Sequence, residues 1–202
     1  MTSKFNCVLD IDQTLIAAEV LEEYNIEKNK EKSVKFKFEN MDDYYIIFQR
    51  PHLQKFLDYV FANFNVSIWT AASKDYALFI LDKIITPVNK PERKIDWVFF
   101  SYHCDISRKI KKSSKDLTML WDIYRIKGYS IDNTFIIDDY DEVYNSQPNN
   151  SIIVPEFQYY DENSENDNFL KKLIKQLKIL NTSNSLKQLI NINKKNKKLL
   201  KN

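Results

Sequence analysis

The chain has 202 residues, 44% of them hydrophobic, with 13 Phe and 12 Tyr and a formal net charge of +2. That length suits one domain with at most a small appendage, and the apolar share is enough for a real core. The single glycine, Gly128, excludes both a Walker loop and a dinucleotide fingerprint, because each needs glycines where backbone approaches phosphate.

Residues 5–9, FNCVL, form an apolar run without helical periodicity and read as a buried strand that ends at Asp10. VKFKF at 34–38 alternates strictly, YYIIF at 44–48 is aromatic and β-branched, and the polar residues between them predict a hairpin. In RPHLQKFLDYVFANF, Leu53, Phe56, Leu57, Val60, Phe61 and Phe64 keep helical spacing, and Pro51 suits a first turn. VSIWT at 66–70 is the next strand. Ser73 can cap a helix over KDYALFILDKII that must stop near Pro87.

WVFF at 97–100 reads as a strand, followed by the lysine-rich stretch SRKIKKSS. Ser113 or Ser114 is placed to cap a helix carrying Leu117, Leu120, Trp121 and Tyr124. TFIID at 134–138 is a strand running into Asp138–Asp139, and SIIV at 151–154 is the last strand. After the polar YYDENSENDN, residues Phe169, Leu170, Leu173, Ile174 and Leu177 mark an amphipathic helix, and the final KKNKKLLKN is expected to fray. The three tryptophans, Trp69, Trp97 and Trp121, read as core. Strands alternating with helices predict a mostly parallel sheet covered on both faces, with function beyond the carboxyl ends of the strands.

Cys7 and Cys104 form no metal or redox spacing. The first residues lack an apolar signal core and no apolar stretch is long enough for a membrane span, so an intracellular protein, nuclear or cytoplasmic, is expected. Charge is uneven. Residues 171–202 hold 10 lysines and no acid, leaving 30 − 10 = 20 basic against 28 acidic groups in the rest, a net of −8. The tail is either an ordinary solvated face or a partner-binding element, with nucleic acid as one such partner.

Asp10 and Asp12 project to the same side of an extended strand end. Two carboxylates held close need a cation or a proton, and the pair Asp138–Asp139 adds to the crowding. A hard divalent ion with oxygen ligands, Mg2+, resolves it. Asp10, ionised at neutral pH, can attack phosphorus without a base, Asp12 can protonate the leaving oxygen and then activate water, and the Thr70 hydroxyl and a lysine can hold the phosphoryl oxygens. Taken singly, these residues also fit plain roles as turn formers, helix caps and strand residues.

DIDQT at 10–14 resembles the DxDxT signature of aspartate-nucleophile phosphatases of the haloacid dehalogenase superfamily. More narrowly, the chain is similar to the carboxy-terminal-domain phosphatases, also called NLI-interacting-factor-like phosphatases. The pieces in order are LDIDQTL, a flap-like hairpin, RPHLQKFL, WTAASKDYA, SKDL at 114–117, IIDDYDEVY and VPEF. The resemblance implies a three-layer Rossmann-like haloacid dehalogenase α/β fold, with a hairpin flap after the first strand and no large cap. It implies a phosphatase domain over residues 1–180, with 181–202 as a basic tail. Asp10 would be nucleophile and metal ligand. Asp12 would be the acid–base, with its backbone carbonyl on the metal. Thr14 would support the loop, Thr70 and Lys115 would hold phosphate, and Asp139 with Asp138 would complete a Mg2+ site.

The function this implies is a phosphomonoesterase working through a phospho-aspartyl intermediate on phosphorylated protein or peptide. The RNA polymerase II tail is the candidate substrate. The alternatives are a phosphatase of nucleic-acid ends or nucleotides, motivated by the lysines, and a catalytically weak binding module for phosphorylated tails. The latter is motivated by WVFFSYHCD, where relatives carry arginines near the substrate.

Overall fold

The computed structural model of the protein describes residues 5–22, 24, 31–42 and 44–199. Strand β1 (Asn6–Leu9) is followed by β2 (Ile16–Val20) and by a hairpin of β3 (Phe38–Met41) and β4 (Tyr45–Gln49). Helix α1 (Leu53–Asn63) leads to β5 (Asn65–Trp69), and α2 (Lys74–Ile80), prolonged by a π-helical turn over Leu81–Ile85, leads to β6 (Ile95–Phe99). Next come α3 (Ser101–Lys111), a second π turn (Met119–Ile123), β7 (Thr134–Asp138), α4 (Asp141–Ser146) and β8 (Ser151–Ile153). Helices α5 (Phe169–Ser183) and α6 (Gln188–Leu199) end the described chain. Among the described residues, no helix is long and apolar enough to cross a membrane.

The central sheet runs β6–β5–β1–β7–β8 and is parallel throughout. Its strands alternate between two cores. Cys7, Leu9, Val66, Ile68, Phe135 and Ile137 face one side, against α1, α2, α5 and α6. Val8, Trp69 and Ile136 face the other, against Cys104 of α3, Leu120 of the π turn and Val143 of α4. Both faces are therefore covered, as the near-continuous apolar runs of these strands require. On α1, Leu53, Phe56, Leu57 and Val60 are fully buried, each worth about 1.5–3 kcal/mol of transfer free energy. Strand β1 lies at the centre, so the chain leaving it enters the cleft at the carboxyl edge of the sheet.

Several elements differ from expectation. The flap is a three-stranded antiparallel sheet, β2–β4–β3, because IAAEV at 16–20 pairs with β4. Residues 34–36 are turn, not strand. Phe36 tucks against Phe48 and Phe157 there, and only from Phe38 does the chain pair with β4. The lysine-rich stretch belongs to α3, whose covered side is the small pair Cys104 and Ser107. The helix expected after Ser113 and Ser114 shrinks to the π turn, and neither serine caps it. Asp116 accepts the Thr118 N–H instead, at 2.8 Å. Trp97 is half-exposed on β6, unlike buried Trp69.

Residues 188–199 are helical, not frayed. Asn193 and Asn196 of α6 are buried against the outer edge of β8. The Asn193 amide donates to Ser151 O (2.8 Å) and its Oδ1 accepts the Ile153 N–H (3.1 Å). Asn196 donates to Ile153 O at 2.9 Å. These amides occupy the bonding positions of a missing sixth strand, so an edge that would otherwise carry unpaired groups is satisfied. Asn196→Leu leaves the Ile153 carbonyl buried without a partner and is expected to cost about 1–3 kcal/mol, measured as a lower urea midpoint at unchanged slope.

Candidate active site

The site sits where β1, β5 and β7 end together. β1 pairs with β5 on one side and β7 on the other, with Leu9 beside Ile68 and Ile137. That register sets Asp10 level with Asp138, and Thr70 follows one residue further along β5 at the same edge of the sheet. The loop after Asp10 turns tightly: Gln13 takes a left-handed φ of 58°, and the Leu15 N–H returns to Ile11 O at 2.8 Å. The turn brings Thr14 back over Asp10. Its hydroxyl lies 3.1 Å from Asp10 Oδ2 and 2.9 Å from Asp139 Oδ1. A single hydroxyl has one hydrogen, so Thr14 donates to one carboxylate at a time.

Lys115 bridges the two strand-end acids. Its Nζ donates to Asp10 Oδ1 and, at 2.8 Å, to Asp138 Oδ2. The residue is almost wholly buried, as are both partners. Burial alone pulls the ammonium pKa down, but the charges of Asp10 and Asp138 outweigh it and hold the pKa well above the ordinary lysine value. Lys115 lies in the turn ahead of the second π segment, not at a helix start as the sequence predicts. That turn is fastened from α4: Glu142 accepts the Ser114 N–H at 3.0 Å and its hydroxyl at 2.7 Å. Just beyond α4, Gln147 donates to Lys115 O at 2.7 Å.

One carboxylate oxygen each from Asp10, Asp138 and Asp139 lies within 4.8 Å of the others. Three acids against one ammonium leave the cluster short of positive charge. Burial raises Asp138 above the usual carboxylate range even with Lys115 opposing, and burial with the Asp10 and Asp138 charges raises Asp139. An all-oxygen, undercompensated donor set fits a hard divalent ion.

Asp12 stands apart from this cluster. Its Oδ1 accepts the Tyr76 hydroxyl at 2.6 Å. Burial raises its pKa to about 6, with the Asp10 charge adding to that and Tyr76 opposing it. Thr70 is fully buried and accepts the Ala72 N–H at 3.0 Å, which leaves its own hydrogen to donate. His103 is a packing residue, its Nδ1 accepting the Phe100 N–H at 2.9 Å among the rings of Phe99, Tyr102 and Tyr124.

Residue-by-residue reading of the sequence missed Tyr76, Glu142, Gln147 and above all Arg50. Buried Arg50 donates to Thr14 O (3.0 Å), to Pro155 O (2.9 Å) and, through Nη2, to Asp167 (2.8 Å). Its guanidinium lies 5.4 Å from the Phe157 ring centre and 5.1 Å from that of Phe169. The short pieces RPHLQKFL, WTAASKDYA and IIDDYDEVY contain Arg50, Tyr76 and Glu142 but not their targets, and Gln147 lies outside them.

A parallel sheet with this strand order and an acidic carboxyl edge is a haloacid dehalogenase fold, and known phosphatase structures share that fold. Fcp1, an essential RNA polymerase II CTD phosphatase, superposes with a TM-score of 0.50 at 21% identity, covering 92% of this chain and 52% of that one. A second structure, the fission yeast RNA polymerase II CTD phosphatase Fcp1 bound to beryllium fluoride, gives 0.52 at 19%, covering 93% and 53%. The chain thus spans about half the length of those proteins, and at these identities the likeness is one of fold. Residues 5–187 match the NLI interacting factor-like phosphatase family, and the chain belongs to it. CTD phosphatase-like protein 355R of Invertebrate iridescent virus 6 is 47% identical over 172 residues, covering 83% of this chain and 94% of that protein. Its counterpart in Invertebrate iridescent virus 3 is 46% identical over 175 residues, covering 84% and 93%.

Replacing Arg50 by Met removes the charge partner of Asp167 and strands two carbonyls, one of them in the Asp10–Thr14 loop. A loss of about 3 kcal/mol in unfolding free energy is expected by chemical denaturation.

Proposed function

We propose that the chain is a Mg2+-dependent phosphoprotein phosphatase that works through a phospho-aspartyl intermediate on phosphoserine or phosphothreonine, with RNA polymerase II tail repeats as the candidate substrate. The observation that carries this reading is Lys115 held between Asp10 and Asp138, with the oxygens of Asp10, Asp138 and Asp139 within 4.8 Å. The names of the viral relatives and of Fcp1 support the substrate class.

In the first step a carboxylate oxygen of Asp10 bonds to phosphorus while the phosphorus–oxygen bond to the seryl or threonyl side chain breaks. Asp12 gives its proton to that leaving oxygen. In the second step Asp12, now ionised, takes a proton from water, the water oxygen bonds to phosphorus, and the acyl-phosphate bond breaks to return Asp10 and release phosphate. Lys115 has three N–H bonds, two of them directed at Asp10 and Asp138, and the third is free for a phosphoryl oxygen. The Thr70 hydroxyl supplies a second donor. Thr14 holds Asp10 and Asp139 in register. Asp10, Asp138, Asp139 and the Asp12 carbonyl would hold Mg2+, which supplies charge neutralisation between the phosphoryl group and the acids. Asp12 is kept outside the carboxylate cluster and has a raised pKa, which suits a group that must start protonated.

A second reading, hydrolysis at nucleic-acid ends, draws on the lysines of the last two helices. Turnover of phosphopeptide against 5′-phosphorylated oligonucleotide ranks the two.

Asp10→Asn and chelation by EDTA are each expected to abolish phosphate release from a phosphopeptide. Full turnover in Asp10→Asn would reject the mechanism. Asp12→Asn is expected to lower the rate by about 10²–10⁴ on a seryl phosphate and far less on 4-nitrophenyl phosphate, whose leaving group needs no proton. Because Asp12 must be protonated, kcat/KM on the seryl phosphate should fall as pH rises past about 6, and Asp12→Asn should remove that limb.

A further inference from the structure

We propose that the outward face of α5 and α6 is a docking surface for the phosphate backbone of duplex nucleic acid, bound without sequence preference. This does not depend on the phosphatase chemistry. Asp167 is the last acidic residue, so the chain from 168 to 202 carries lysine charge with no carboxylate to offset it. Between residues 171 and 197 eight lysines are exposed: four on α5, Lys187 in the connecting turn, and three on α6. The remainder of the chain is net acidic, and its other basic cluster, Arg108–Lys112 at the end of α3, is shorter, so a polyanion is drawn most strongly here.

The face is held rigidly. Leu170, Leu173, Leu177 and Leu180 of α5 are buried against the body. Asn193 and Asn196 fix the opposite side of α6 to β8. The lysines must therefore point outward. Lys171 and Lys175, four apart, recur about one 5.4 Å helical turn apart, and Lys178 continues the same stripe. Toward its end α6 reaches α4, where Lys197 Nζ lies 4.0 Å from the Tyr144 ring centre. The face thus flanks the helix that follows Asp138 and Asp139.

The side-chain types select the partner. Every cation is lysine, a point charge, and the chain has no arginine after Arg125, so the bidentate fork that grips a single phosphomonoester is missing. Residues 170–199 contain no aromatic residue, and the two rings that border the face, Tyr59 and Tyr144, are already met by Lys178 and Lys197, so the face offers no open row of rings for the base stacking that single strands use. A dense, regular array of phosphodiesters, as on a duplex, is what remains.

The test is fluorescence anisotropy of a labelled 20-base-pair duplex against the full chain. Binding near about 10⁻⁵ M is expected, weakening steeply as salt rises. The combined variant K171Q/K175Q/K194Q/K195Q should bind at least 10-fold more weakly and lose about 0.9 from the log–log salt slope for each lysine in contact. Its hydrolysis of 4-nitrophenyl phosphate should be unchanged, which reports an intact fold. The proposal is overturned if the natural chain does not bind, if binding ignores salt, or if the variant binds as well. It is also overturned if the variant loses only kcat/KM on a phosphopeptide, since the face would then serve the protein substrate.

Discussion

The burial of one ammonium between two carboxylates is the constraint on which the rest of the structure turns. Asp10 and Asp138 end adjacent parallel strands, and the pairing of β1 with β7 forces them together. Without Lys115 the two charges would have to separate or take up protons. With it, both strand-end acids share one buried cation, and Asp139 adds a third carboxylate that Lys115 does not reach. Removing a member of such a buried group is costlier than the net worth of the group, because the others are left uncompensated. The fold accordingly anchors the turn carrying Lys115 at three points: Glu142, Gln147 and the bond from Ser107 to Ser113 O at 2.6 Å.

A second charge performs the matching task on the flap side. Arg50 ties the loop after Asp10 to the segment before α5, joining residues 117 positions apart. Phe48 stacks on Tyr159 at 4.0 Å, and Phe157 packs beside them, so the flap sheet has its own small aromatic core against the same segment. The flap is thereby a fixed wall of the cleft along its base, while the tip of the β3–β4 hairpin carries exposed Tyr44.

The parallel sheet and the acids at its edge were legible in the sequence because their signals are local. Apolar runs end in DIDQT, WT and IDD, and each chemical group sits on the run that positions it. What stayed hidden depends on distant partners. Arg50 looks like any arginine before a helix until Asp167 and Thr14 are brought to it. Strand β2 was obscured because Ala17 and Ala18 have little strand preference of their own and pair only because β4 is there. Helix α3 buries so little apolar area that its sequence reads as solvated lysines. Lys115 was found through SKDL, yet its expected helix start is a turn, because reaching both Asp10 and Asp138 takes precedence over local helix formation.

The amides that seal β8 have a consequence for where the functional unit stops. The family match ends at residue 187, one residue before α6 begins. A protein shortened to that boundary would retain the whole carboxylate cluster and its lysine. It would also present a naked strand margin to every other copy in solution, a template for edge-to-edge growth into aggregates. Besides burying Leu189 and Ile192 in the core, the last helix thus safeguards colloidal behaviour.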